Sequence, residues 1–414
     1  MKKMLLMAMA AAGVLTACTS NDGFDNEVAK GDLQQIKLGV SAAVSTSRGT
    51  GTVGSADSES NAWAGQYLWV SMLDKGTLNA TKYEAVGGVV SDGPIFEDKL
   101  FVAPADGDEG LTTADDGTIA YYPTQGASDF WGYRVDDAAN LNDEPGFSPK
   151  TKPAVLLCNS QNEEVEAAQA TRRVVELKIN GSQDIMAGKA EIGADADLLG
   201  TQPENFFSAF SARKGVQPNI NFNHLLTRFT FQVKAGNKAA TGDAGAGTQP
   251  VQVTKVTVSS KNCAKLVVAY TEAQQPQLLT FNDEEPVELA LMQRTGSAND
   301  ALTALQTVPL TWNAEENEGE TLPVGESLMV APGETEYTMH LTLAQTVQVK
   351  ADGTTASKTL EIIKPIKLPS ADAFQAGHSY NVVITVYGLE KVDVNATLVP
   401  WRDGGSIDID FDQN

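Results

Sequence analysis

The sequence predicts an all-β protein of two tandem β-sandwiches, and three observations lead there. Short segments in which apolar and polar residues alternate with period two recur along the chain, the pattern of strands with one buried face. Clusters of Gly, Asp, Asn and Pro punctuate them at short intervals, as turns between strands require. Helical periodicity is scarce; 163–173 and 299–306 are the stretches that read as short helices. A chain of 414 residues is longer than one core usually serves, so two domains are expected, with the division near Gly215.

The chain begins with Met1-Lys2-Lys3, a short apolar run from Met4 to Val14, and Leu15-Thr16-Ala17-Cys18. The run is too short to span a bilayer, and small residues precede a cysteine. It therefore reads as a signal peptide over 1–17, with a lipoprotein cleavage box that leaves Cys18 as the lipidated residue. No later apolar run is long enough to cross a membrane. Residues 19–31 are polar and acidic, a solvated tether. Ile36, Leu38, Val40, Ala42 and Val44 then alternate with Lys37, Gly39, Ser41 and Ala43, the pattern of a strand. A Gly/Ser/Thr-rich stretch follows over 45–55, and its one charged residue is Arg48, the first arginine of the chain. The expected organisation is a signal peptide (1–17), a lipidated propeptide (18–48), an N-terminal sandwich (49–215) and a C-terminal sandwich (216–414).

Within the sandwiches, strands are expected at 67–73, 86–90, 117–122, 174–179, 229–233, 251–258, 337–343, 382–387, 392–398 and 407–411. The Gly/Ala/Thr-rich run 234–250 reads as an exposed loop or hairpin tip. Net charge is −23 and the pI about 4.5, which argues against nucleic acid and against an anionic membrane face. Beside Cys18 the chain has Cys158 and Cys263, each next to strand-like apolar residues. A disulfide and two buried free thiols fit them equally well.

A catalytic constellation is not visible. The three histidines, His224, His340 and His378, have no second His or Cys at metal-ligand spacing, so no zinc site is expected. Asp106-Gly107-Asp108-Glu109-Gly110 begins like a calcium loop but fails at its fifth position, and Gly117 stands where the bidentate Glu belongs. No nucleophile elbow, P-loop or dinucleotide fingerprint is present. The expectation is a non-enzymatic protein without metal or cofactor.

Several stretches together resemble one family. They are the lipobox followed by an alternating strand and Arg48; Ala120-Tyr121-Tyr122-Pro123 leading to Phe130-Trp131-Gly132-Tyr133; Asp184-Ile185-Met186-Ala187; and Asn221 through Phe229. Later come Leu328 through Gly333, Gly377-His378-Ser379-Tyr380, and Val394 through Trp401. In this order they resemble the fimbrillins, subunits of the lipoprotein-derived type V pili of Bacteroides-like bacteria. The chain departs from the family in Trp131, where a smaller aromatic is commoner, and in a long insert around 136–166.

The resemblance implies two transthyretin-like or immunoglobulin-like sandwiches. It also implies export as an outer-membrane lipoprotein by the lipoprotein machinery, then cleavage between Arg48 and Gly49 by a trypsin-like protease. The cut would release the removable strand (Ile36, Leu38, Val40, Ala42, Val44). Its groove would accept the C-terminal donor strand (Ile407, Ile409, Phe411) of an identical or related subunit, with Gly404-Gly405 as hinge, because an unpaired apolar edge binds a matching strand strongly. The product would be an extracellular fimbrium, stalk or tip, serving adhesion to a host or bacterial surface receptor and biofilm formation. The alternatives are an uncleaved anchor subunit and a surface glycan-binding lipoprotein that keeps its lipidated Cys18.

Overall fold

The computed structural model describes residues 33–42, 65–83, 93–103, 110–114, 119–136, 150–200, 206–243, 245, 247–294, 302–349, 353–389, 391–399 and 406–407. Strand dominates the regular structure of these residues, as the alternation indicated, and helix is limited to short pieces. Strands β1 (Gly39–Ala42), β2 (Tyr67–Asp74), β3 (Lys99–Val102), β4 (Thr112–Thr113) and β5 (Ser128–Arg134) come first. They are followed by β6 (Val155–Cys158), β7 (Arg172–Lys178), β8 (Met186–Ala190), helix α1 (Ala209–Arg213) and β9 (Asn219–His224). The later strands are β10 (Thr227–Ala235), β11 (Gln252–Ser260), β12 (Cys263–Tyr270), β13 (Leu279–Phe281) and β14 (Val287–Ala290). Five two-residue strands come next: β15 (Met292–Gln293), β16 (Thr303–Ala304), β17 (Val308–Pro309), β18 (Trp312–Asn313) and β19 (Glu318–Gly319). The chain then runs through β20 (Leu322–Val330), β21 (Glu336–Gln348), β22 (Thr355–Lys367), β23 (Ser379–Val386), β24 (Val392–Val399) and β25 (Ser406–Ile407).

The first large sheet has the order β25-β1-β9-β8-β5-β2-β3-β4. Both of its faces are covered, which is why β2 and β5 are buried along almost their whole length rather than at alternate residues. On one face Leu68, Val70, Phe130, Met186, Ile220 and Phe222 form a core with Tyr122, Phe207 and Val216. On the other, Trp69, Tyr133 and Ala187 join Val174, Val175, Leu266 and Val267 of a second sheet, β13-β12-β7-β6. A buried ion pair ties the layers: Arg173 Nη2 of β7 lies 2.7 Å from Asp98 Oδ2, and Asp98 also accepts from Ser71 (3.0 Å) and Tyr133 (3.3 Å).

In the second sandwich β20-β10-β23-β24 faces β14-β11-β21-β22. Here Phe229, Phe231, Val233, Met339, Leu341, Leu343, Val382 and Ile384 point inward along strands that alternate with half-buried residues. The edge strand β22 is mostly exposed and carries Lys358, Glu361, Lys364, Pro365 and Lys367. Beyond the expected division at Gly215, β9 still belongs to the first large sheet, and the β7–β12 ladder joins residues on either side of it.

Two helix expectations fail. Within 163–173 only Ala167–Gln169 turns, as a 3-10 helix, and β7 begins at Arg172. Glu164 bridges to Cys158, Val165 N–H donates to Leu157 O (2.9 Å) and Thr171 N–H to Cys158 O (2.8 Å), so the backbone there pairs with β6 instead of winding into a helix. In 299–306 the described residues Thr303 and Ala304 pair with Gln293 and Met292 as strands. The run 234–250 connects β10 to β11, with a 3-10 turn over Lys238–Thr241 that buries Ala240. The expected strand at 86–90 lies outside the described residues.

Cys158 and Cys263 are buried free thiols. Cys158 pairs with Arg172 and Cys263 with Lys178, at opposite ends of β7. Six residues of strand separate those ends by about 20 Å, far beyond the 4.4–6.8 Å between Cα atoms of a disulfide. Burial pushes both thiol pKa values up. Thiol titration of the protein beginning after Cys18 is expected to find both sulfurs unreactive in native buffer and reactive in denaturant. A monomer with an internal crosslink on a non-reducing gel is the contrary result.

Candidate functional site: the seat of the N-terminal strand

The segment 34–42 is threaded into the body of the first sandwich. Ile36, Leu38 and Val40 are 7%, 2% and 0% exposed, and all three belong to the core that contains Phe130, Met186, Ile220 and Phe222. Alternation places them on one face because successive strand residues point to opposite sides. β1 runs parallel to β9, with Val40 opposite Ile220 and Ala42 opposite Phe222.

Main-chain hydrogen bonds fix both edges of the segment. Gly39 N–H donates to Pro218 O (2.9 Å) on the β9 side. Ile36 N–H donates to Ala120 O (2.9 Å), Tyr122 N–H to Gln34 O (2.9 Å) and Leu111 N–H to Leu38 O (2.8 Å). The Ala120-Tyr121-Tyr122-Pro123 stretch therefore forms part of the strand's seat. Gln217 completes it: its Oε1 accepts from Lys37 N–H (3.2 Å) and its Nε2 donates to Gln35 O (3.1 Å), so one side-chain amide reads the main chain as a neighbouring strand would. Ser41 Oγ also donates to Asn221 Oδ1. Nothing in the sequence singled out Gln217.

The seat also depends on two glycines without side chains. Gly132 of β5 lies opposite Gly188 of β8. A Cβ on Gly188 would stand 1.9 Å from Asn221 O, and one on Gly132 would stand 2.6 Å from Phe222 Cζ. The pair leaves room for the Phe222 ring, which reaches from β9 across β8 to Gly132 in the core that also holds Leu38 and Val40.

At the far end of β9 the expected structural histidine has a charged partner. His224 Nδ1 lies 2.9 Å from Oδ1 of Asp184, a carboxylate with no exposure. Arg134 Nη1 donates to Asp184 O (2.7 Å), and its Nη2 is 3.1 Å from Asp136 Oδ2. The buried Arg228 donates to Ser379 Oγ (2.7 Å), which extends the cluster into the second sandwich. Burial acts to raise the Asp184 carboxyl pKa, but His224, Arg134 and Arg228 outweigh it and the net shift is downward. His340 instead meets Glu361 (2.8 Å) on the surface, and His378 Nδ1 lies 2.9 Å from Ala376 O. No group of three metal-competent side chains occurs among the described residues.

Of the residues expected to work in assembly, the structure brings Ile36, Leu38 and Val40 into the core and sets Val40 opposite Ile407 as Cα partners in an antiparallel pair. Ala42 pairs through its backbone with Phe222. Cys18, Val44, Arg48, Gly49, Ile409 and Phe411 lie outside the described residues, as do Gly404-Gly405 and the 106–109 acidic loop.

The fold and site define an all-β protein in which a short N-terminal strand fills the edge of a doubly covered sheet. No protein-family model and no curated protein matches the sequence. Among solved structures, the chain is similar to a protein described as a cell adhesion protein of Bacteroides uniformis, at 15% identity and a TM-score of 0.44 over 90% of this chain and 100% of that one. It is similar to a protein described as an adhesin of Bacteroides thetaiotaomicron at 10% identity and 0.38, over 91% and 100% of the two chains. It is also similar to the fimbrial anchor protein Mfa2 of Porphyromonas gingivalis at 11% and 0.23, over 89% and 100%.

Two substitutions test the site. Gly188→Ala forces backbone against backbone between β8 and β9, and a loss of about 3 kcal/mol or more in urea unfolding is expected, in the range of severe core overpacking. Asp184→Asn removes an ionised partner from a buried cluster and should cost about 3–5 kcal/mol at pH 7. Because the Asp184 pKa is depressed in the fold, its contribution is present above the unfolded carboxylate value and is lost as pH falls through the folded one. The acid limb of the stability profile should accordingly flatten in Asp184→Asn. An unchanged limb contradicts an ionised Asp184.

Proposed function

We propose that the chain is a non-catalytic structural subunit, stalk or tip, of a cell-surface pilus. It is exported as a lipoprotein on Cys18 and cut between Arg48 and Gly49 by a trypsin-like protease. The cut removes β1, and the edge so opened accepts the C-terminal strand (Ile407, Ile409, Phe411) of the next subunit. Repetition of this head-to-tail contact does not close on itself and builds a filament, which would serve adhesion and biofilm formation. The observation that carries this reading is the N-terminal strand itself: a short segment with three fully used core side chains, held at a sheet edge and followed by a Gly/Ser/Thr-rich stretch containing Arg48.

Magnitude supports the reading. Burying Ile36, Leu38 and Val40 contributes roughly 5–9 kcal/mol gross, comparable to the whole net stability of a domain. A subunit deprived of β1 is strongly driven to take another strand there, through both burial and unpaired main-chain groups.

The first test is the N-terminal residue of the protein recovered from the cell surface. Gly49 is expected, and Arg48→Gln should leave the longer form and abolish filaments. A lipidated Cys18 start overturns the stalk and tip reading in favour of an anchor or another surface lipoprotein. In a second test, a synthetic peptide of residues 33–44 is added to the cut protein. It should raise the thermal midpoint of the sandwich it completes by several degrees, since roughly 1 kcal/mol moves a domain of about 150–250 residues by 2–4 °C. The same peptide with Val40→Asp should not.

A further inference from the structure

The tail strand β25 stands at the end of the first large sheet, and β1 is the strand between it and β9. Val40 is the Cα partner of Ile407, and Ser41 of Ser406, in an antiparallel register. Successive strand residues offer their N–H and C=O groups to opposite edges. Gly39 gives its N–H to Pro218 on the β9 side, so the main-chain groups of Val40 face the other edge, where Ile407 lies. Among the described residues β25 has no other ladder partner. Six residues separate it from the end of β24, a tether short enough to make the pairing strongly intramolecular.

We infer that β1 is a double latch: the strand that fills the acceptor edge of β9 also holds this subunit's own C-terminal strand. One cut of the chain then opens the acceptor and frees the donor together. Before the cut, both halves of the polymerising contact are occupied by the same segment, so a precursor in transit neither donates nor accepts. Among the described residues two pairs join the tail to β1 and four join β1 to β9. This rests on the pilus reading for its consequence, but the coupling itself is a property of the isolated subunit.

Hydrogen–deuterium exchange at Ile407, whose N–H faces Val40, tests it in the full chain and in the same protein cut by an inserted site-specific protease sequence in place of residues 46–51. The released N-terminal peptide is separated first, and the protein is kept dilute enough to remain monomeric. In the uncut chain the Ile407 amide should exchange at least roughly tenfold more slowly than in a free peptide of the same sequence, and after the cut at the free-peptide rate. Fast exchange in the uncut chain, or protection that persists in the cut monomer, overturns the latch. A second measurement needs no cut. Deletion of residues 406–414 from the full chain should free the Val40 amide, which faces Ile407, while the Gly39 amide, which faces β9, keeps its protection. An unchanged Val40 rate in that variant also overturns it. A cut subunit that frees its tail but fails to polymerise would sink the pilus reading and leave the latch intact.

Discussion

An ionised carboxylate buried without exposure sets the geometry on which the rest of the molecule depends. Asp184 stands where the chain enters β8, His224 where it leaves β9, and Arg228 one residue into β10. An isolated charge in such a place costs several kcal/mol unless it is paired. The pairing therefore forces the ends of β8 and β9 together, and Arg134 brings in β5. Through Arg228 and Ser379 the same cluster reaches β23, so the passage from one sandwich to the other is fixed by charge as well as by packing. The position of the β9 edge, and with it the seat of β1, follows from this cluster.

A sheet covered on both faces leaves an incoming segment only one way to join it, along an edge. The first large sheet meets its second sheet on one face and a core of loops and α1 on the other. The Gly132–Gly188 pair leaves room for Phe222 on one of those faces, in the same core as Leu38 and Val40. Gln217 then supplies main-chain recognition at residues 35 and 37, where β9 has not yet begun. Specificity for the strand is thus divided between side-chain burial, which reads alternation, and main-chain bonding, which reads only that the segment is extended.

Much of this was legible in the sequence, and the exceptions have physical causes. Strands with one exposed face, such as those at Phe229 to Val233 and Tyr337 to Leu343, announce themselves by alternation. β22 does not, because an edge strand with most side chains in water has no burial pattern to display. The burial of Ile36, Leu38 and Val40 was readable from their spacing. The partners of that strand were not, because Ala120, Gln217 and Ile407 are brought to it by topology from far along the chain. The Asp184–His224 pair spans 40 residues and leaves no local trace, so His224 reads simply as a structural residue. The failed helix at 163–173 shows the opposite case: helix-compatible composition yields to main-chain pairing with β6, which topology supplies.

The character of β22 sets a boundary on association. It is the longest exposed edge of the second sandwich, and a bare edge of that length would zip onto any extended chain it met. Its lysines at 358, 364 and 367 impose a desolvation cost and like-charge repulsion on such a neighbour. Pro365 removes one of the N–H groups a ladder would need. Copies of this protein crowded side by side are thereby discouraged from fusing laterally through that flank. The guard is built into the strand's own composition and stands before any second copy arrives.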